Sequence, residues 1–465
     1  RLLAQTQCIG DATLGDSCAA SGTTTAIAVD LPLSGTINDS QVASNSITVT
    51  NATIIPDARL HISDATGGSG EAELIVLNTY DELGQLENKK VGGNANATSV
   101  VSSAGLQTVD YTYNVRGWLK TINNDQQDDN DLFNFNLRYN DPVGGTALFN
   151  GNISQSNWQT QGEDNNSKTY SYSYDALNRI TGAVDNTGYF NLGSTTKPIT
   201  YDKNGNIQQL LRMGHTEAMP DLSDNAQDDS DYGVMDDLTY EYTGNQLKTV
   251  RDIGEGTGFL DGSNDATEYV YDPNGNMISD ANKGITGITY NHLNLPTAVT
   301  VNGNGNDGII KYIYDATGAK LQKNVLKNGV DPIATDYAGN YIYENGNLKQ
   351  LGQPEGYVQH DNGNYSYVYN FKDHLGNVRL SYSDINDNGS VDQSEILHER
   401  NYYPFGMLHK GYNGNIQGSV SNYMEYQGQE LDKSLNLDWH HFKYRTYDAS
   451  IGRFLQIDPL APTYV

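Results

Sequence analysis

Tyr201–Ile207 reads YDKNGNI, and Tyr271–Met277 reads YDPNGNM. Upstream, Tyr80–Leu86 reads YDELGQL and Tyr113–Leu119 reads YNVRGWL. The common form is Tyr-Asp-x-x-Gly-x-apolar. A periodic sequence builds a periodic structure, and a unit this short cannot bury an apolar face alone. Each unit reads as strand, tight turn, strand. Tyrosines ahead of the turns alternate with other residues, as in Tyr170/Tyr172/Tyr174, Tyr240/Tyr242, Tyr312/Tyr314 and Tyr365/Tyr367/Tyr369. That period of two puts the rings on one face. The Asp or Asn after the last Tyr is placed to bond the amides ahead of it, and Gly supplies the positive φ of the turn. Gly84, Gly117, Gly205, Gly275, Gly318 and Gly376 stand there, and Leu86, Leu119, Ile207, Met277 and Val378 start return strands. Some copies are worn: Tyr174–Ile180 has Asn178 for Gly, and Tyr343–Leu348 is one residue short. An ordinary β domain would also have hairpins, but this unit recurs too often and too similarly.

The C-terminal stretch has its own signature. Asn401–Met407 reads NYYPFGM, Tyr426–Asp432 reads YQGQELD, and Phe442–Asp458 reads FKYRTYDASIGRFLQID, followed by PLA. With the repeats, these residues resemble the Rhs and tyrosine–aspartate (YD) repeat family and its Rhs repeat-associated core, over roughly residues 74 to 462. The resemblance implies an all-β fold, a YD-repeat sheet spiralling into a hollow shell, with a small N-terminal β module. It divides the chain into a β-rich module or linker at 1–72, a shell at 73–398 and a shell-closing core at 399–465.

Composition agrees with an exported β protein. Lys and Arg number 28 against 57 Asp and Glu, a formal net charge of −29. Such a surface repels phosphates, so nucleic acid and anionic membranes are poor partners. Hydrophobic residues make up 37%, which argues for a shell lined by Tyr, Asn and Thr rather than a solid core. Length alone would allow about three domains, whereas the repeat favours one continuous body. Cys8 and Cys18 read as a local disulfide or a pair of free thiols. No secretory signal and no membrane-spanning apolar run is visible. The chain begins at Arg1 and stops just after the core signature, which reads as a segment of a longer polypeptide with an upstream export signal and a downstream module. Thr23–Val29 and Ser46–Ile55 read as short strands of an antiparallel or stacked module, and Gly67-Gly68-Ser69-Gly70 as a boundary. The insertions at Asp125–Asp131, Asp221–Asp237 and Asn302–Asp307 read as solvated acidic loops.

Asp384–Glu395, DINDNGSVDQSE, has EF-hand calcium-loop spacing. Asp384, Asn386 and Asn388 supply oxygens at positions one, three and five, and Gly389 allows the sharp turn. Ser390 contributes a carbonyl, Asp392 binds through water and Glu395 with both oxygens. Hard oxygen donors without Cys or His favour Ca²⁺. The flanks, Val378–Ser383 and Ile396–Tyr403, read as strands, so a calcium loop joins two strands and the ion's expected role is to pin the loop.

The chain lacks HExxH, GxSxG and a phosphate-binding Gly-rich loop with Lys. His440 and His441 are neighbours on a strand and point to opposite faces, which disfavours a shared metal. The resemblance implies an aspartyl autoprotease in the core. The matching residues are Asp448 and Asp458, with Arg445 and Arg453 as orienting charges; two nearby carboxylates sharing a proton suit that chemistry. The family's motif is Asp-Pro-x-Gly-Leu, whereas this chain has Asp458-Pro459-Leu460-Ala461-Pro462, so a purely structural plug stands equally. The resemblance further implies encapsulation and delivery of a C-terminal toxin or cargo module of the same chain in intercellular competition, through export machinery to the outside or the cell surface. The alternative is a surface adhesin or carbohydrate-binding repeat protein stacking sugars on Tyr, Trp118, Trp158 and Trp439. An inward tyrosine lining supports encapsulation, and an exposed aromatic strip supports binding.

Overall fold

The computed structural model describes residues 73–461, apart from 96–102, 124–130, 162–164, 217–230, 255–257, 304, 362 and 410–423, and strand backbones ahead of residue 73. Cys8, Cys18, Gly67–Gly70 and most of the insertions at 125–131 and 221–237 lie outside the described residues. The fold is all-β: the described residues form strands joined by turns, with short 3₁₀ segments at Gln393–Glu395, Tyr426–Gly428 and Ser434–Asn436. No helix among them is long and apolar enough to cross a membrane. The chain packs as two compact units, one of Arg1–Asn134, Gly352–Tyr369 and Tyr382–Glu395, the other of Phe135–Leu351, Asn370–Ser381 and Ile396–Val465.

In the first unit, Leu31–Ile37 pairs in parallel with Ile47–Ile54, and Gln41–Ala43 pairs in parallel with Ala26–Ile27 and Leu60–Ile62. Parallel pairing of alternate strands is a stacked arrangement, not a set of hairpins. Glu73–Tyr80 then pairs antiparallel with Ala4–Gln7 and Leu86–Val91, and the run continues through Gln107–Tyr113 to Leu119–Ile122. Leu74, Ile75 and Val76 are buried, and Tyr369 donates its hydroxyl to Glu73 at 2.6 Å.

The second unit is a long antiparallel meander. Strands pair with sequence neighbours from Gln155–Thr160 through Lys168–Tyr174 to Ile180–Asp185. Bridges at Leu192 carry the sheet on to Ile207–His215, which continues through Tyr232–Thr243 to Gln246–Asp252. From Tyr269–Tyr271 the pairing proceeds strand by strand to Asn347–Gln353. Short sequence separations between paired strands follow from the tight turns.

The turns form as the residues dictate. Asp202 accepts hydrogen bonds from the amides of Asn204 and Asn206 at 2.8 and 2.9 Å. Asp175, Asp272, Asp315 and Asp373 do the same, as do Asn114 and Asn291. Gly205 sits at φ 90°, while Asn178 of the worn copy Tyr174–Ile180 takes φ 63° and Asn294, in the turn opened by Asn291, takes φ 57°; Asn tolerates the left-handed region better than other side chains. A bulge falls at the tyrosine of each turn, so that Tyr201 faces Ile207 and Tyr271 faces Met277. Bulges sharpen the local bend of a strand.

One regularity escaped the sequence reading. The turn tyrosine of one unit donates its hydroxyl to the carbonyl of the apolar residue after the preceding turn. Tyr113 reaches Leu86 at 2.9 Å, Tyr201 reaches Ile180 at 2.5 Å and Tyr242 reaches Ile207 at 2.7 Å; Tyr290 reaches Met277 likewise. Phe would pack equally well, so this hydroxyl stitch explains why the position is Tyr. Neighbouring rings stack along the strands, Tyr240 on Tyr242 and Tyr367 on Tyr369, both at 6.4 Å between centroids.

Candidate functional site at the C-terminal core

Within the second unit, the strands Glu430–Asp432, Trp439–His441, Thr446–Asp448 and Arg453–Phe454 form a small antiparallel sheet. It closes over an aromatic cluster of Tyr402, Tyr426 and Tyr447, flanked by Phe442 and Phe454. The NYYPFGM segment repeats the turn chemistry, with Gly406 at φ 90°. A Cβ on Gly406 would lie 2.5 Å from the Tyr426 ring, so no side chain fits there.

This small sheet lies against the meander and crosses it in reverse order. Its first strand meets the later strands. Glu430 pairs with Lys320 at 2.5 Å and Asp432 with Lys323 at 3.1 Å, while Tyr337 and Tyr312 donate hydroxyls to Glu430 and Asp432 at 2.6 and 2.7 Å. Further along, Lys283 pairs with Asp448 at 2.7 Å and donates to the Leu437 carbonyl at 2.5 Å. The last part reaches the earlier strands. Arg212 donates to the carbonyls of Ala449 and Ser450, Tyr240 to that of Ile451 at 3.2 Å, and Arg453 to the Asn245 carbonyl at 2.9 Å. Tyr240 and Tyr312 are thus buried beneath the chain's own C-terminal segment.

Burial sets the electrostatics. Burial alone would raise Glu430 and Asp432, but Lys320 and Lys323 hold Glu430 below the usual carboxylate range, and Lys323 with His441 holds Asp432 well below it. Asp280 goes the other way: full burial pushes it up to about 6, with Lys283 opposing and Asp448 adding to the rise. Burial also pulls His440 down to about 4 and lowers His441. A cavity of about 270 Å³ lies beside the first strand, bordered by Lys323, Val325, Ile333, Thr335, Ser434 and Leu435.

The residues expected as an acid pair have different surroundings. Asp448 is buried, bound to Lys283, and accepts from the amide and hydroxyl of Ser450 at 2.9 and 2.5 Å. Asp458 is half-exposed, pairs with Arg445 at 3.0 Å and accepts from the Leu460 amide. Arg453 faces Asp448 in strand register but donates to Asn206 and Asn245. The nearer acid neighbour of Asp448 in electrostatic terms is Asp280. His440 and His441 face different partners, Tyr426 and Tyr447 for one and Tyr312 and Asp432 for the other. The sequence reading missed Lys283, Lys320, Lys323, Asp280, Glu430 and Asp432. One weak signal was available: Lys323 shares strand parity with Val325, and both are buried.

The loop Asp384–Glu395 lies between strands Val378–Tyr382 and Ile396–Glu399. Its oxygens are turned toward its own main chain. Asp384 accepts from the amides of Asn388 and Gly389, Asn388 from Ser390, and Asp392 from Ser394. Buried Glu395 accepts from Ile385 and Asp392 at 2.9 and 3.1 Å. Gly389 takes φ 78°, the turn that the spacing requires. The donor set is all hard oxygen and suits Ca²⁺ in kind, although no convergent group of three acidic or His side chains forms among the described residues.

No family model matches the chain. Salivary gland surface protein 1 of Aedes aegypti is 26% identical over 243 residues, which is 48% of this chain and 7% of that protein. A crystal structure titled TcdB2-TccC3-TEV superimposes with a TM-score of 0.50 at 17% identity, over 84% of this chain and 20% of that one. A Tc holotoxin pore of Photorhabdus luminescens, carrying a TccC3 D651A mutation, gives 0.49 at 15% identity over the same shares. This chain therefore spans only a small part of the proteins it resembles, and what it shares with the TcdB2-TccC3 structure is the all-β fold of long antiparallel sheets closed by turn after turn.

Proposed function

We propose that the chain is the closing part of an exported Rhs/YD-repeat shell that encapsulates and delivers a C-terminal toxin or cargo module in intercellular competition. In this reading residues 73–398 belong to the shell and 399–465 to its plug, behind an N-terminal module at 1–72. The observation that carries it is the docking of the C-terminal core across the tyrosine face of the meander, through Lys283, Lys320 and Lys323. That docking lays the C-terminal core on the face a shell would present to its contents. The shared fold with TcdB2-TccC3 supports it. The protein acts outside the producing cell or at its surface, and Ca²⁺ pins the loop Asp384–Glu395. For self-cleavage, the pairing of Asp448 with Lys283 rather than with Asp458 favours a structural role for Asp448. The test is a chain carrying a reporter domain after Val465, treated with protease. Wild type should shield the reporter, and Lys283→Met should expose it. Equal digestion in both refutes encapsulation, and release of a reporter fragment from wild type but not from Asp448→Asn would restore the protease.

The second reading is a surface adhesin or sugar binder, favoured by the name of the mosquito relative. It needs exposed aromatics. Trp158 and Trp439 are buried and Tyr240, Tyr269 and Tyr312 are covered, whereas Tyr341 and Tyr365 are exposed. Retention on a glycan array, lost on replacing Tyr341 and Tyr365, would support this reading.

A further inference from the structure

His440 sits in the middle of the small sheet, 4% exposed. Its ring centroid lies 5.5 Å from that of Tyr426 and 6.4 Å from that of Tyr447. Neither ring nitrogen has a hydrogen-bond partner among the described residues. Tyr426 and Tyr447 pack against it, and the charged groups that act on it are Glu425, Asp448 and Lys433, with His441 on the opposite face of the strand. Each acid already has a cation beside it, although Glu425 Oε2 is buried without a hydrogen-bond partner among the described residues. Glu425 pairs with Arg400 at 3.6 Å and Lys433 at 3.4 Å, and Asp448 with Lys283 at 2.7 Å. An imidazolium at this position would be desolvated with no acceptor hydrogen-bonded to either ring nitrogen in the docked core, which is costly.

We propose that His440 is an acid-sensitive latch: neutral, it lets Trp439–His441 pack and holds the C-terminal core on the meander; protonated, it forces that strand away and loosens the core. The inference concerns how the core is held and stands whatever the chain encloses. Its direction follows from linkage. Burial first, opposed by Glu425 and Asp448, holds the ring at about 4 in the docked core. An exposed His titrates near 6.5, so between these values the opened core binds one more proton than the docked one. Falling pH therefore favours opening, by about tenfold per pH unit for one proton. Asp280 works against it. Its folded value of about 6 lies above the ordinary one, so it stabilises the docked state as pH falls. The overall pH response of wild type mixes the two effects, and only a comparison with a His440 variant isolates the latch.

The experiment is hydrogen exchange of the full chain, read as opening constants for residues 439–448 of wild type and His440→Gln, at pH 6.5 and 5. Gln cannot charge, so the ratio of wild-type to variant opening should rise about 15-fold over that interval, because the opened ring is already half protonated at pH 6.5. A ratio independent of pH overturns the proposal. NMR titration of the His440 ring in wild type decides the matter even where the variant fails to fold. A ring still neutral at pH 5 supports the latch, and one titrating at or above 6.5 overturns it.

Discussion

Replacing Lys283 with Met should loosen the C-terminal core strongly. The Lys283 and Asp448 side chains are 6% and 2% exposed. Lys283 also donates to the Leu437 carbonyl and offsets the charge of buried Asp280. Removing one member of a buried pair leaves the other charge uncompensated, at about 3–5 kcal/mol, and a mid-range loss of about 4 kcal/mol raises core opening nearly a thousandfold. Within the same chain, Lys349 pairs with Glu344 at 3.8 Å with side chains 43% and 35% exposed, and Lys349→Met should cost at most about 0.5 kcal/mol. The pH dependence has a definite sign. Asp280 has a folded value near 6, raised above the ordinary one, and loss of Lys283 raises it further. The folded variant then holds protons that the unfolded chain releases, so its deficit relative to wild type is greatest above the raised Asp280 value and shrinks as pH falls toward 6, below which Asp280 is protonated in both folded chains. Asp448→Asn in the Lys283→Met background should recover part of the loss, because it removes one of the two carboxylates, Asp448 and Asp280, that Lys283 compensates. The assay is hydrogen exchange across residues 430–461, which isolates core opening from global unfolding. If Lys283→Met proved as mild as Lys349→Met, or its deficit grew in acid, the reasoning would fail.

Tyr201→Phe and Tyr242→Phe should each cost about 1 kcal/mol by losing the hydroxyl stitch while leaving a carbonyl under-satisfied; Tyr341→Phe, at a 44% exposed position, should be near neutral in the same denaturant titration. Gly205→Ala should cost about 1–2 kcal/mol from strain alone, since its φ is 90° and nothing lies within 4 Å of an added Cβ; a melting temperature unchanged from wild type contradicts this. Ca²⁺ should raise the melting temperature of wild type and chelator should reverse the gain, because a ligand bound only by the folded loop stabilises by mass action. Asp384→Ala with Glu395→Ala should abolish that response, and a chelator response surviving in the double variant assigns the calcium elsewhere.

The repeat was legible because its determinants are local. An Asp that bonds the two amides ahead of it and a Gly or Asn in the left-handed region act within one heptapeptide, and alternation of Tyr reports a strand face directly. Strand order followed as well, since tight turns leave only antiparallel neighbours. The hydroxyl stitch from Tyr201 to Ile180 and from Tyr242 to Ile207 was not legible, because it joins residues of successive units whose spacing varies with the insertions. The Lys283–Asp448 and Lys323–Asp432 pairs bring together residues more than a hundred positions apart. A lysine on a polar, strongly acidic chain looks solvated until the small sheet is laid over it. The same holds for His440, whose acid sensitivity exists only because packing removes water and commits Glu425 and Asp448 to other cations. Local backbone chemistry written in each heptapeptide determined the fold of this protein; burial, which arises only when distant segments meet, decided which of its charges matter.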